Sequence, residues 1–567
     1  MGRSRRGGPA PGRNAVIEPR LIGGLGCLAL AATAAGAQTT LTALPKQVPA
    51  WVENYNPFNA STRLPSVVDF VYEPLVVFSQ LRGGEPNYRL ATDHAFSEDL
   101  SQLTFTLREG VTWSDGEPFT AEDVVFTFEM VLANPALDLE GVGELVAGVS
   151  APDERTVVFD LSRPSSLAAF DIVRVPVVAE HVWAQVEDPV SFLNEDPVGT
   201  GPLTEFTRFT EQEYVQCRNE SYWDAASLAV DCMRFPQIAN NDQALAAAAR
   251  GELDWMGSFL PDIENTYVAR DPDNHGYWFP PGSYVYFNLN VEAGDAGLSE
   301  AFGDVAFRRA VSMVMDRGAM VDIAGYGYPT VNDDASGLGA AYEDWANPQA
   351  EEEFGRFMEY DPDAAAEMLA EAGYEDSDGD GFLETPSGAD IAFDVIVPNG
   401  WTDWVNTVQI AVEGLTALGI EAGVATPEAA VWTEQLVQGT YDAAINAAVV
   451  GTTPHTHLDW ALHSRHQGAN RFAASNFVNP EVDRLLDAFS QTTDEAEQRE
   501  IMAELQMRAA EDMAVIPVFN NPRWYQYNTS RFTGFWNAEN PQGVPTVHDG
   551  TTSERLLHLL SLTPVEG

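Results

Sequence analysis

Lysine is almost missing from this chain of 567 residues: Lys46 is the only one, and every other basic side chain is arginine. Lys and Arg together number 30 against 85 Asp and Glu, a formal net charge of -55. The acids run along the whole chain rather than forming a tail. Such a surface repels nucleic acid and anionic membranes, which excludes both as partners. It is tolerated where salt screens self-repulsion, and a GC-rich genome favours Arg over Lys as well. Long apolar runs are also lacking: beyond the N-terminal region no stretch of about twenty apolar residues occurs, so no membrane span is expected in the mature chain. Absent too are His-Glu-x-x-His, Gly-x-Ser-x-Gly and a phosphate-binding glycine loop. Carboxylate pairs are common only because acids are common. A secreted hydrolase therefore stands as the rival class, without a motif behind it. Cysteines number three: Cys27, Cys217 and Cys232.

What is present is the composition of a folded soluble protein, 45% apolar and 10% aromatic. The length exceeds one hydrophobic core, so two or three domains are expected. Arg3, Arg5, Arg6, Arg13 and Arg20 precede an apolar, small-residue run at 21–35, and Ala35-Gly36-Ala37 fits a signal-peptidase site. Residues 1–37 read as a signal peptide, and the mature protein as exported to a periplasmic or other extracytoplasmic space. A lipid anchor on Cys27 is the rival reading; Gly24 stands where a lipobox wants leucine. Cys217 and Cys232 then lie in an oxidising compartment, where one disulfide is the default. They end and begin two predicted strands, 213–217 and 232–238, around a turn at Asn219-Glu220-Ser221-Tyr222-Trp223-Asp224.

Along the chain, strands are expected at 39–49, 101–107, 155–161, 172–178, 283–290, 391–397, 442–450 and 514–519. Residues 66–77 read as a helix broken at Tyr72-Glu73-Pro74-Leu75. Thr120 caps a helix from Ala121. Further helices are expected at 242–250, 302–315, 363–373, 405–418, 431–438, 480–489 and 494–512. The strand–helix alternation in the second half argues for an α/β lobe. One stretch stands out there: Pro398-Asn399-Gly400-Trp401-Thr402-Asp403-Trp404, between a predicted strand and a predicted helix. Open α/β sheets bind ligands at that end of their strands. Core packing of the two indoles is the alternative.

Several segments together resemble the large extracellular solute-binding proteins of ABC importers, the family of dipeptide, oligopeptide, nickel and oligosaccharide receptors. They are Asn56-Pro57-Phe58, Val71-Tyr72-Glu73-Pro74-Leu75, the run from Phe105 to Gly116, Thr120-Ala121-Glu122-Asp123-Val124-Val125, Gly199-Thr200-Gly201-Pro202, Tyr286-Phe287-Asn288, Phe307-Arg308-Arg309-Ala310, and 363–373 with its Asp/Gly-rich sequel. The matches follow family order over nearly the whole mature chain. The resemblance implies a periplasmic-binding-protein-like α/β fold with two lobes, a cleft and an extra inserted domain. Domain I would comprise 38–81, 197–285 and 520–567, domain II 82–196, and domain III 286–519. It further implies hinge closure on a solute between domains I and III, a membrane permease as partner, a monomer, and no catalysis.

Peptide receptors of this family usually carry an acid in a loop of domain III that holds the α-amino group. Here the comparable place reads Gly451-Thr452-Thr453-Pro454-His455, and Asp459 arrives late. By contrast Gly400-Trp401-Thr402-Asp403-Trp404 looks like the oligosaccharide-binding branch, and sugars stack their C–H faces on aromatic rings while amides and carboxylates take their hydroxyls. The expected ligand is an oligosaccharide, with a di- or oligopeptide as alternative. Candidate ligand residues are Trp401, Trp404, Asn399, Asp403, Asn56, Trp255, Tyr284, Thr452, His455 and Trp460. His455, His457, His463 and His466 invite a nickel or zinc reading, though no Cys or close carboxylate pair joins them. Asp376, Asp378 and Asp380 echo the first half of a calcium loop, with Glu384 at the ninth place and Ser387, not Glu, at the twelfth. A solvated acidic turn is the alternative there, and no cofactor is expected.

Overall fold

The computed structural model describes residues 38–59, 61–548 and 553–565, so the leader read at 1–37, Cys27 included, lies outside the described residues. Three sheets carry the architecture. A seven-stranded sheet centres on Thr40–Leu44, which pairs in parallel with Cys232–Pro236 on one side and Trp255–Met256 on the other. Beyond these lie Glu213–Arg218 and Leu203–Thr210 at one edge, and Gln526–Asn528 and His275–Tyr277 at the other. A four-stranded antiparallel sheet is made of Ala91–Phe96, Gln102–Leu107, Thr156–Leu161 and Val146–Asp153. A six-stranded mixed sheet runs Thr330–Val331, Ile516–Asn520, Tyr284–Leu289, Ala443–Ala447, Ala392–Ile396, Glu421–Ala425. Its last three strands are parallel and are joined by helices Thr402–Ala417 and Ala429–Gln438.

This is a two-lobe α/β fold with an inserted sheet. One contiguous apolar cluster joins the seven-stranded and four-stranded sheets, from Leu41 and Trp51 through Phe105, Phe159 and Trp183. A second cluster fills the six-stranded sheet and its helices, from Val285 to Phe519. Helix Thr402–Ala417 shows why the lobe holds: Trp404, Val408, Ala411 and Leu415 recur at helical spacing and are all buried. The chain passes between the two large sheets at residues 278–283 and again at 521–525. These passages are tied by three backbone bonds: Trp278 N–H to Tyr525 O at 3.1 Å, Arg523 N–H to Pro280 O at 3.0 Å, and Asn521 N–H to Ser283 O at 2.7 Å. They run so close that a Cβ on Gly282 would sit 2.2 Å from Asn521 O.

Several sequence motifs prove to be structural. Glu73 is fully buried, and its carboxylate accepts from Arg89 Nε at 2.6 Å, Trp223 Nε1 at 2.7 Å and Tyr222 Oη at 3.1 Å. It ties the first lobe to the insert. Asp123 accepts from the Thr120 backbone N–H at 2.9 Å and starts helix Ala121–Ala133 as a capping box does.

Four expectations are corrected. Residues 66–77 are not a broken helix. A short turn at Val67–Val71, with Asp69 at φ 71°, leads into strand Val76–Ser79, because the Asp69 carboxylate is held at 2.6 Å by buried Arg555. Residues 172–178 are not a strand: helix Ala168–Ile172 is followed by extended chain whose apolar side chains face neighbouring elements rather than a sheet partner. The helix expected at 302–315 is two helices, Ala296–Gly303 and Val305–Met313, because Asp304 leaves helical geometry and caps the second through Ala306 N–H. Pro454–Leu462 is a helix, so His455 and Trp460 lie on a helix rather than in a loop.

The expected disulfide is present. Cys217 and Cys232 are directly opposed in the antiparallel ladder, with Cα atoms 4.0 Å apart. The loop it closes spans a sequence separation of 15. Replacing both cysteines with serine should lower unfolding free energy by about 3 kcal/mol, the loop-closure entropy returned to the unfolded chain. Urea denaturation measures it, and an unchanged midpoint would mean the ladder register alone holds these strands.

Candidate functional site

Two seams between the lobes involve the sequence-predicted residues. The first joins the sequence-predicted stretch to the opposite lobe. Asn241 opens helix Asn241–Ala249, and its Nδ2 donates to Thr402 Oγ1 at 3.1 Å and Asp403 Oδ1 at 3.3 Å. Its backbone N–H reaches Gly400 O at 3.5 Å. Gly400 sits at φ 80°, and a Cβ there would lie 2.9 Å from the Cβ of Asn240, so both backbone geometry and contact favour glycine. Asp403 is buried, and desolvation pushes its carboxyl up to about 6 against the hydrogen bonds that favour its charge.

The second seam joins the insert to the α/β lobe. Ser166 N–H donates to Ser490 O at 2.7 Å, Arg163 lies 3.4 Å from Asp487, and the Arg174 guanidinium covers the Trp460 ring at 4.8 Å. Leu167 enters the apolar cluster of Leu458, Leu462, Leu485 and Phe489. Two cavities open along this seam. One, of about 450 Å³ including space open to solvent, is lined by Val76, Phe78, Phe170, Arg174, Thr452 and Thr456 among others. The second, of about 490 Å³, is lined by Glu140, Arg163, His455, Asp459, Trp460 and His466 among others. Asp171 lines both.

The ten predicted ligand residues divide by place. Thr452 lines the first cavity, and His455 and Trp460 line the second. Trp401 and Trp404 form an edge-to-face pair with centroids 5.1 Å apart, and each lies 6.1 Å from Trp432. Trp404 is a core residue, 5% exposed, because helix Thr402–Ala417 begins three residues before the expected start and turns that ring inward. Trp401 precedes this helix and stays partly buried at the carboxyl end of the parallel strands. Asn399 is exposed and donates to Glu428 at 3.0 Å. Asn56, Trp255 and Tyr284 are fully buried. Asn56 Nδ2 donates to Pro189 O and Phe192 O, clamping the insert, and Trp255 donates to Pro545 O from within the seven-stranded sheet. Tyr284 packs on His457 with centroids 4.3 Å apart.

The histidines do not converge. His455 Nε2 faces Leu486 O at 2.9 Å, His457 faces the carbonyls of Gly337 and Val449, His466 Nε2 faces Asp459 at 2.8 Å, and His463 lies beside Asp483 and Asp487. Burial lowers His457 to about 4, which keeps it neutral. Against its own desolvation, Asp459 is held far below the ordinary carboxylate range by Arg465 and His466. Asp376, Asp378, Asp380 and Glu384 bring ligand oxygens within 4.8 Å of one another, so Glu384 rather than Ser387 supplies the fourth carboxylate. That turn carries its own hydrogen bonds: Gly379 and Gly381 N–H to Asp376, and Ser377 N–H to Glu384 at 2.7 Å.

Asn241, Phe170, Asp171 and Arg174 stand at these seams and are not among the sequence-predicted residues; the one signal in the sequence is Asp171, the only acid between Leu167 and Val178.

Residues 85–469 match the family described as bacterial extracellular solute-binding proteins, family 5. Protein XP55 of Streptomyces lividans is 30% identical over 408 residues, covering 70% of this chain and 69% of that protein. The glutathione-binding protein GsiB of Escherichia coli K12 is 24% identical over 79% of this chain and 83% of its own. Among solved structures, the mannohexaose-bound periplasmic oligopeptide-binding protein of an ABC transporter from Thermotoga maritima superposes with a TM-score of 0.85, at 25% identity, over 94% of this chain and 99% of its own.

The two indoles differ enough in burial to be separated experimentally. Trp404→Ala should cost about 3–5 kcal/mol of stability, whereas Trp401→Ala should cost less than about 2 kcal/mol. Chemical denaturation of both variants checks this, and equal losses would place both rings in the core.

Proposed function

The chain belongs to the bacterial extracellular solute-binding proteins of family 5, receptors of ABC importers that act outside the cytoplasm and are not enzymes, and we propose that its solute is an oligosaccharide. The observation that carries this reading is Trp401. Its ring sits partly exposed where the parallel strands end, and it is fixed from behind by Trp404 and Trp432. A rigid, partly exposed indole is a stacking platform for a sugar face and loses little entropy on binding. Asn399 and Thr402 stand beside it to meet hydroxyl groups. The mannohexaose carried by the Thermotoga maritima protein supports the same ligand class.

In this reading residues 38–81, 197–285 and 520–567 make up one lobe, 82–196 the insert and 286–519 the α/β lobe, with strands Tyr284–Leu289 and Ile516–Asn520 crossing the limits. The paired passages at 278–283 and 521–525 act as the hinge. Solute contacts made to both lobes favour the closed state, and the closed monomer presents its solute to the permease. The oligopeptide reading stays second, supported by the glutathione bound by GsiB.

Tryptophan fluorescence and thermal shift across panels of oligosaccharides and peptides test the choice. A shift with a hexose oligomer is expected, and Trp401→Ala should weaken that binding at least tenfold. Shifts with di- or oligopeptides and none with sugars would sink the oligosaccharide reading.

A further inference from the structure

We propose that Asn399 is a site of spontaneous covalent modification: the Gly400 amide nitrogen attacks its side-chain carboxamide, and the turn that carries Trp401 converts from asparagine to aspartate and isoaspartate. The modification stands on the turn itself. Its effect on the solute rests on the interlobe capture proposed above.

Asn399 is the one asparagine of this chain that glycine follows. A side chain on residue 400 would crowd the ring-closing attack, and glycine has none. The fold adds exposure and freedom. Asn399 is exposed and Gly400 partly so, at the tip of a turn spanning 398–401. One long hydrogen bond closes that turn, from Trp401 N–H to Pro398 O at 3.3 Å. Among the described residues no acceptor takes the Gly400 N–H, so the attacking nitrogen is not tied to a partner. The Asn399 side chain has one partner there, the exposed Glu428 carboxylate, 3.0 Å from Nδ2. Asn56 and Asn241 make the contrast. Both are buried, and both ends of each amide are engaged: Asn56 by Pro189 O, Phe192 O and the Phe58 N–H, Asn241 by Gln47, Thr402 and Asp403. The residues that follow them are Pro57, whose nitrogen carries no proton, and Asp242, whose side chain crowds the approach.

The chemistry balances with water as the only co-reactant and involves no redox change. Loss of a proton makes the Gly400 nitrogen a nucleophile, so the rate rises with pH. The nitrogen bonds to Asn399 Cγ, the Cγ–Nδ2 bond breaks, and the side-chain nitrogen leaves as ammonia. Water then opens the five-membered succinimide. Addition at the side-chain carbonyl gives aspartate. Addition at the main-chain carbonyl gives isoaspartate, whose backbone runs through Cβ and Cγ and is one carbon longer. Aspartate replaces the Nδ2 donor with a carboxylate facing Glu428, so an attractive contact with the start of helix Ala429–Gln438 becomes repulsive. Isoaspartate does more. Gly400 is closely confined: a Cβ on it would lie 2.9 Å from Asn240 Cβ, and its carbonyl accepts from the Asn241 N–H at 3.5 Å. An extra backbone carbon beside it shifts Trp401 or parts the Asn241 seam.

Peptide mapping by mass spectrometry of the purified protein, held folded at pH 6 and at pH 9, tests the modification. Conversion at Asn399 should exceed that at Asn265, an exposed asparagine followed by threonine, at least tenfold, and should run faster at pH 9. The peptide carrying residue 399 should split into aspartyl and isoaspartyl forms. Asn399→Gln, whose side chain would have to close a larger ring, should show neither. Conversion at Asn399 no faster than at Asn265 overturns the proposal. The consequence is read on the aged fraction, separated by ion exchange. Near-ultraviolet circular dichroism reports the Trp401–Trp404 pair without any solute, and the isoaspartyl fraction should lose part of that signal while Asn399→Asp keeps it. The isoaspartyl fraction should also bind mannohexaose at least tenfold more weakly than fresh protein. Unchanged dichroism with unchanged affinity overturns the effect on the cleft. If fresh protein does not bind mannohexaose, it is the oligosaccharide reading that fails, and the peptide map and the dichroism still decide the fate of Asn399.

Discussion

The connection between the two large sheets depends on two stretches of chain lying side by side. Residues 278–283 and 521–525 are the passages between the two large sheets, and three backbone hydrogen bonds hold them abreast. Each such bond contributes about 1 kcal/mol net, and together they hold the two passages as one short ribbon. Gly282 allows the ribbon its closeness, and two prolines at 280 and 281 stiffen it. The Asn241 seam and the Ser166–Ser490 seam are polar. Leu167 is the exception, since it seats the insert firmly on the α/β lobe.

The charge pattern has a second consequence inside the molecule. With 30 basic residues against 85 acids, a few arginines hold key structural positions. Arg89, Arg531 and Arg555 each meet a fully or almost fully buried carboxylate, and each joins elements distant in sequence. Arg308 and Arg317 instead donate mainly to backbone carbonyls within the α/β lobe. Their planar forks suit such multiple bonds better than lysine would. Removing one partner of a buried pair leaves an uncompensated charge and costs about 3–5 kcal/mol.

Much of the fold was legible in local chemistry. Strict alternation at Gln102–Leu107 made a strand, the Thr120–Asp123 box started a helix, and two cysteines flanking a turn met across a ladder. These features are decided within a few residues of chain. Misreadings came where a distant partner overruled local pattern. Arg555, nearly five hundred residues away, shaped the turn at Asp69, and neighbouring elements rather than a sheet absorbed the apolar run after Asp171.

The sequence by itself determined the class of protein: an acidic, exported-looking chain whose ordered motifs place it among solute receptors, with an aromatic stretch at the end of a parallel strand. Only the tertiary structure decided which aromatic faces outward. Trp401 and Trp404 are three residues apart and chemically identical, yet where the helix starts turns one into the core and leaves the other partly exposed. Only the structure, likewise, brought Asp171 opposite Thr452. A cleft is a relation between lobes that are far apart in sequence, and its lining is set by how their surfaces meet rather than by the propensities of the residues that form it.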